Sequence, residues 1–160
     1  MALIEELPLW LRATLKLYPW RTLDPVPHAT LKKPVEQCRV ALVTTGGLVP
    51  PGLAPFDDAV RGGDFSSRLI PGDVDMASLT ESHRSESFDH TGVEKDKNLA
   101  FPMDRLRELA AAGEVGSIAP RHFSFMGSLT APGRLIKTTA PAAADLLVED
   151  QVDIALLVPV

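Results

Sequence analysis

Arg39-Val40-Ala41-Leu42-Val43-Thr44-Thr45-Gly46-Gly47, residues 39–47, is the stretch from which the fold class is read. Its first five residues form a short continuous apolar run, the pattern of a strand buried on both faces as in a parallel sheet. The run passes straight into two hydroxyls and two glycines. Glycine adopts positive φ without a Cβ clash, so Gly46 and Gly47 permit either a tight turn or a close approach of backbone to a ligand, with Thr44 and Thr45 offering hydrogen bonds there. Both readings stand. The later glycines of a dinucleotide loop and the lysine of a phosphate loop are absent, so no nucleotide motif is present.

A second run of the same type, Val152-Asp153-Ile154-Ala155-Leu156-Leu157-Val158-Pro159-Val160, follows the helical pattern of Pro141 to Val148. Strand, helices, then strand is the order of an α/β domain, mainly a parallel sheet with flanking helices, whose ligands bind beyond the carboxyl ends of the strands. The sheet is expected to be incomplete at its C-terminal edge, and an exposed last strand is expected to promote association.

Between these runs, Phe56–Val60 suits a helical turn, and Phe65–Ile70 suits a half-buried strand with Asp64 and Arg68 paired at its start. Met76–Glu81 suits a short strand or turn that delivers His83. From His83 the chain collects His90, Asp89, Glu94, Asp96 and Asn98 in a span with no helical or strand period. This reads as a polar loop walling a site. Pro102 then opens a helix to about Ala112, with Met103, Leu106, Leu109 and Ala110 at helical spacing, Arg105 and Arg107 suiting its dipole, and Gly113 past its end. Arg121–Gly127 alternates, putting His122 and Ser124 on one side and Phe123 and Phe125 on the other.

Upstream, Leu3, Leu7, Trp10, Leu11 and Leu15 form a helical stripe, and Pro19, Pro25, Pro27 and Pro34 impose an extended strap anchored by Trp20, Leu23, Val26 and Leu31. The expected division is therefore residues 1–34, helix and strap, and residues 35–160, an α/β domain cut short. A net charge of −5 with scattered Lys and Arg argues against nucleic-acid or anionic-membrane partners. Glu5 and Glu6 occupy the place of a cationic signal-peptide start, and Pro8, Arg12, Lys16 and Pro19 interrupt any membrane run. One cysteine, Cys38, excludes an internal disulfide. A soluble cytoplasmic protein is expected.

Three chemistries compete for the polar residues. His83, Asp89, His90, Asp96 and His122 are metal-ligand types without a zinc spacing, so a metal-dependent hydrolase is the weaker alternative and no metal ligand is assigned. Ser66, Ser82, Ser85 and Ser124 lack a GxSxG elbow, and Cys38 precedes its strand, so neither makes a ready nucleophile. The third comes from four blocks: YPWRTLDPVPHATLKKP, RVALVTTGG, GDFSSRLIP, and SHRSESFDH through DKNLAFPMDRLREL to GEVGSIAPRHFSFMG. In order and spacing they resemble the selenoprotein B family of glycine, sarcosine, betaine and D-proline reductases, from Tyr18 onward.

The resemblance implies an oxidoreductase subunit. A selenocysteine or cysteine attacks the α carbon of a small amine substrate, displacing the amino group or opening the proline ring. A partner subunit carries a pyruvoyl group that holds the amine as a Schiff base, and a thiol or thioredoxin-type reductant restores the enzyme. It also implies substrate or pocket roles for Thr44, Thr45, Gly46, Gly47, His83, Asp96, Asn98 and His122, with no cofactor on this chain. The reactive residue is expected just after a strand like Val152–Val160, and here nothing follows Val160. A selenocysteine codon read as a stop is the expected cause, with a natural shortening or an artificial boundary as alternatives. The rival function is a noncatalytic partner-binding subunit of the same fold.

Overall fold

The computed structural model describes residues 4–18, 22–86 and 88–160. Leu3, Pro19 and Trp20, which belong to the stripe and strap read above, lie outside them. The chain forms two compact units, Met1–Thr30 and Leu31–Val160. In the first, Pro8 precedes α1 (Leu9–Leu17), where it removes no helical hydrogen bond, and residues 22–30 contain no helix or strand. Leu9, Trp10 and Leu17 on this helix are exposed.

The second unit runs β1 (Arg39–Thr44), β2 (Leu48–Val49), β3 (Ser67–Pro71), β4 (Thr80–Glu81), α2 (His90–Lys95), α3 (Met103–Ala111), β5 (Ser117–Ile118), β6 (Arg121–Phe125), α4 (Ala140–Glu149) and β7 (Ile154–Val158). β1 pairs in parallel with β5 and β6 on one side and with β7 on the other, while β3 closes the far edge antiparallel to β6. β2 and β4 form a separate antiparallel pair. The α/β architecture with a mainly parallel sheet is the one read from the two apolar runs.

Alternation along β1 divides the core. Val40 and Leu42 face a cluster with Ile70, Phe101, Met103 and Leu106, so α3 covers that side. Val43, Phe123 and Phe125 pack with Ala143, Leu146 and Leu147 of α4 on the other. Each fully buried Leu or Phe contributes roughly 1.5–3 kcal/mol over the exposed state. Arg121 clamps Asp150 with two 2.6 Å hydrogen bonds, fastening the start of β6 to the end of α4.

Four local expectations change. The span expected to lack regular structure contains α2 and a 3-10 turn at Lys97–Leu99. Asp89 caps the first by accepting from the Gly92 amide at 2.9 Å, and Val93 is its one buried residue; polar neighbours and Gly92 hide so short a helix from any periodicity. β3 begins at Ser67 because Asp64 folds the preceding residues into a turn, accepting from the Asp57 amide and the Ser66 amide and hydroxyl. Arg107 does not serve the end of its helix: it donates to the carbonyls of Gly72 and Val74, tying α3 to the turn after β3. β7 is not buried on both faces: Leu156 and Leu157 are 46% and 67% exposed, and its one partner among the described residues is β1.

Candidate functional site

The carboxyl end of β1 is held by its own polar groups. The Thr44 hydroxyl, fully buried, accepts from the Gly46 amide at 3.0 Å. The Thr45 hydroxyl accepts from the Val160 amide at 3.0 Å, joining the ends of β1 and β7. Gly47, at φ +67°, donates to the Phe125 carbonyl and accepts from the Ser82 amide, each at 2.9 Å. A Cβ there would lie 2.9 Å from the Ser82 oxygen, and one on Gly46 would lie 2.8 Å from the Ala100 Cβ. The close approach that the glycines allow is thus made by the chain itself, which brings residues 82–83 and Ala100 to the strand end.

That approach builds a cleft of about 510 Å³ with apolar walls from Phe88, Val93, Leu99 and Val160 and polar groups from His83, Ser85 and Asp89. The volume suits a small molecule. It lies at the ends of β1 and β7, where ligands of parallel α/β sheets bind. His83 is 8% exposed, stacks on Phe88 with ring centroids 4.4 Å apart, and takes the Ser85 amide on Nδ1 at 3.3 Å. Its Nε2 is buried without a hydrogen-bond partner among the described residues. Burial holds its pKa below the ordinary histidine value, so the ring is neutral near pH 7.

Behind His83, Glu81 accepts from the His83 amide with one oxygen and from His90 Nδ1 at 2.6 Å with the other. His90 Nε2 faces the Ser85 carbonyl at 3.0 Å. Both His90 nitrogens therefore meet acceptors, an arrangement satisfied only by the imidazolium. The Glu81 and Ser85 hydrogen bonds raise its pKa accordingly.

The remaining sequence-derived residues lie outside the cleft. Asp96 accepts from the amide and side chain of Asn98, which hold its carboxyl below the usual range. Asn98 bonds both the Asp104 amide and carboxylate at 3.0 Å, capping α3 from a distance; only Leu99, beside it, reaches the cleft. His122 is inside the sheet. The offset between β1 and its neighbour grows from Val40↔Ile118 to Val43↔Phe123, so two extra residues, Ala119 and Pro120, are accommodated there. The Pro120 carbonyl turns to the Gly72 amide, and His122 Nδ1 takes the Leu42 amide at 2.8 Å in place of a ladder carbonyl. Burial lowers its pKa to about 4.

The Ser66 hydroxyl is bound to Asp64 and that of Ser82 accepts from the Phe56 amide. Among the described residues no group of three or more His, Cys, Asp or Glu is placed to hold a metal ion. No helix among them is long and apolar enough to cross a membrane. Sequence reasoning missed Glu81 as the anchor of the cleft and Phe88, Val93 and Leu99 as its walls. The available signal was Asp89 three residues before Gly92 and four before Val93, an N-cap ahead of one apolar contact.

Fold and cleft together define an α/β domain with a cleft of small-molecule size at the carboxyl edge of a mainly parallel sheet. Residues 15–159 match the model of the glycine/sarcosine/betaine reductase selenoprotein B family, and the chain belongs to that family. It is 37% identical over 125 residues to the D-proline reductase subunit gamma of Acetoanaerobium sticklandii, covering 78% of this chain and 50% of that one. It is 31% identical over 143 residues to the sarcosine reductase complex component B subunit beta of Peptoclostridium acidaminophilum, covering 88% and 32%. Similarity to the glycine reductase complex component B subunit gamma of Carboxydothermus hydrogenoformans is 29% over 128 residues, covering 80% and 29%. The chain thus spans half or less of the length of these relatives. No solved structure matches it significantly.

Proposed function

We propose that the chain is part of a reductase subunit that cleaves a small amine substrate at its α carbon, with the cleft beside His83 as the substrate end of the site. The observation that carries the reading is the cleft's position: Val160, where the chain leaves β7, is one of its walls, in a chain of this family. A segment continuing from β7 leaves at the cleft mouth, which is where the selenocysteine or cysteine implied by the resemblance would act. Its selenolate or thiolate is a soft nucleophile at neutral pH. Attack forms the bond to the α carbon as the carbon–nitrogen bond breaks, its electron pair leaving with the nitrogen. A dithiol reductant then supplies two electrons and two protons that break the new selenium–carbon or sulfur–carbon bond, one proton going to the carbon and one to the regenerated selenol or thiol, as the dithiol becomes a disulfide.

The chain's own residues contribute apolar walls that exclude water, a neutral histidine, and the Thr45–Val160 bond that aligns the exit of β7. A pyruvoyl group on a partner subunit would supply the carbonyl that holds a primary or secondary amine, betaine being the exception because its quaternary nitrogen has no N–H and is already a leaving group. Cytoplasmic conditions would keep the nucleophile reduced. The test is to express the reading frame together with whatever coding sequence follows codon 160, add a pyruvoyl-containing partner subunit, and follow dithiol oxidation on addition of glycine, sarcosine, betaine or D-proline. Amine-dependent oxidation supports the reading. A stable complex with no oxidation for any of the four overturns it in favour of a noncatalytic binding subunit.

A further inference from the structure

We propose that His83 is the residue that binds a carboxylate oxygen of the cleft's ligand, with Glu81 and His90 as its positioning residues. The tautomer follows from the hydrogen bonds. Nδ1 accepts from the Ser85 amide, so in the neutral ring the proton is on Nε2, and that N–H is buried without an acceptor among the described residues. A buried donor left unpaired is costly, and a ligand oxygen that takes it recovers that cost on binding.

The acids nearby do not fill the role. Glu81 is occupied by the His83 amide and by His90, and Asp89 Oδ1 by the Gly92 amide. The charges around the ring largely offset one another: the Glu81 carboxylate is paired with His90, whose ring lies 6.5 Å away between centroids, and Arg84, adjacent in sequence, is countered by Asp89 in the cleft lining. The unpaired N–H and not the net charge is what recommends an oxygen ligand. The opposite walls, Val93, Leu99 and Val160, are apolar and suit the methylene or methyl groups of a small amino-acid-type molecule. Phe88 packs against the imidazole with centroids 4.4 Å apart and also lines the cleft, so it is the side chain that must yield for an oxygen to reach Nε2.

Glu81 and His90 act through His83. One carboxylate fixes the His83 backbone and the His90 ring at once, and His90 holds the Ser85 carbonyl, whose residue supplies the amide on His83 Nδ1. Losing either member frees the tautomer as well as the position.

The inference rests on the proposed reductase reading only for the choice of an amino-acid-type ligand, and its test requires neither a partner subunit nor turnover. Betaine and choline share a trimethylammonium group and differ at the other end, carboxylate against hydroxyl. Each is titrated into the full chain while the side-chain nitrogens of His83 are followed by long-range 1H–15N correlation, with affinity from saturation-transfer NMR. Betaine is expected to shift His83 Nε2 saturably and choline to leave it unmoved. His83→Phe is expected to weaken betaine ~10-fold or more, and His83→Gln, which keeps an N–H donor, to weaken it less. Glu81→Gln is expected to mix the His83 tautomers and bring the His90 titration down toward its ordinary value. Equal binding of betaine and choline, betaine affinity unchanged in a folded His83→Phe protein, or no binding of betaine overturns the assignment. The reductase reading is judged separately, by dithiol oxidation in the reconstituted complex.

Discussion

His83 and His122 are both more than nine-tenths buried, and neither Nε2 makes a hydrogen bond of good geometry among the described residues, although His122 lies close to the Ala119 backbone; yet they do different work. His122 sits where two extra residues interrupt the ladder, and its Nδ1 replaces a missing backbone acceptor for Leu42. Its surroundings are Phe101, edge-on at 5.8 Å, and the sheet itself. His83 makes a longer bond to its own loop and borders a cleft. Burial and an orphan nitrogen do not by themselves mark a site; what the rest of the ring is holding does.

The largest expected effect is His122→Phe. It keeps an aromatic ring in the core but leaves the Leu42 amide unpaired, so unfolding in urea should show a loss of about 3 kcal/mol, at the upper end for an orphaned buried donor with repacking. His83→Phe should cost about 1 kcal/mol or less, since its partner is a loop amide at the cleft edge. Equal losses would break the distinction between them.

Acid should sharpen it further. His122 has a folded pKa of about 4, below its unfolded value near 6.5, so its neutral form is fully favourable above pH 6.5 and stability falls as pH drops from there to about 4. The loss is about 3 kcal/mol over that window. Stability curves of the wild type and His122→Phe should converge toward pH 4; parallel curves would assign the acid sensitivity to other groups.

His90 has the opposite sign. Its folded pKa is raised by Glu81, so its contribution is complete below the unfolded value and disappears as pH rises through the folded one. Amide exchange, corrected for intrinsic base catalysis, should show residues 82–86 losing protection across that rise while β1 amides keep theirs. Loss of protection in both regions together would mean that the loop and the sheet open as one unit.

Much of this was legible and some was not, for physical reasons. The RVALVTTGG run gave a buried central strand because apolar continuity is what burial on two faces requires. The alternation of residues 121–125 separated His122 and Ser124 from the two phenylalanines, and the structure turns the phenylalanines toward α4 and His122 toward Phe101. Local pattern could not reveal that His122 serves a ladder interrupted by Ala119 and Pro120, since that depends on the register of strands nearly eighty residues apart. It could not show that Asp96 and Asn98 face α3 rather than the cleft. Nor does α2, six residues long, extend far enough for a period to emerge.

β7 was misread in its burial for a related reason, and it carries the smallest stability prediction. IALLV is as apolar as VALVT, but β1 has neighbours on both sides and β7 has β1 alone among the described residues. The Val158 carbonyl accepts from the Thr45 amide, so alternation turns the backbone groups of Leu157 and Ala155 toward the open edge. An exposed, apolar, uncharged edge is a template for pairing with another strand. Leu157, 67% exposed, loses little burial when replaced, so Leu157→Lys should change unfolding free energy by no more than ~0.5 kcal/mol. A charged side chain on that edge opposes strand addition, so sedimentation should show concentration-dependent association reduced in Leu157→Lys relative to the wild type. Association that persists unchanged would place the adhesive surface elsewhere, whereas a large stability loss would show that Leu157 is covered in solution.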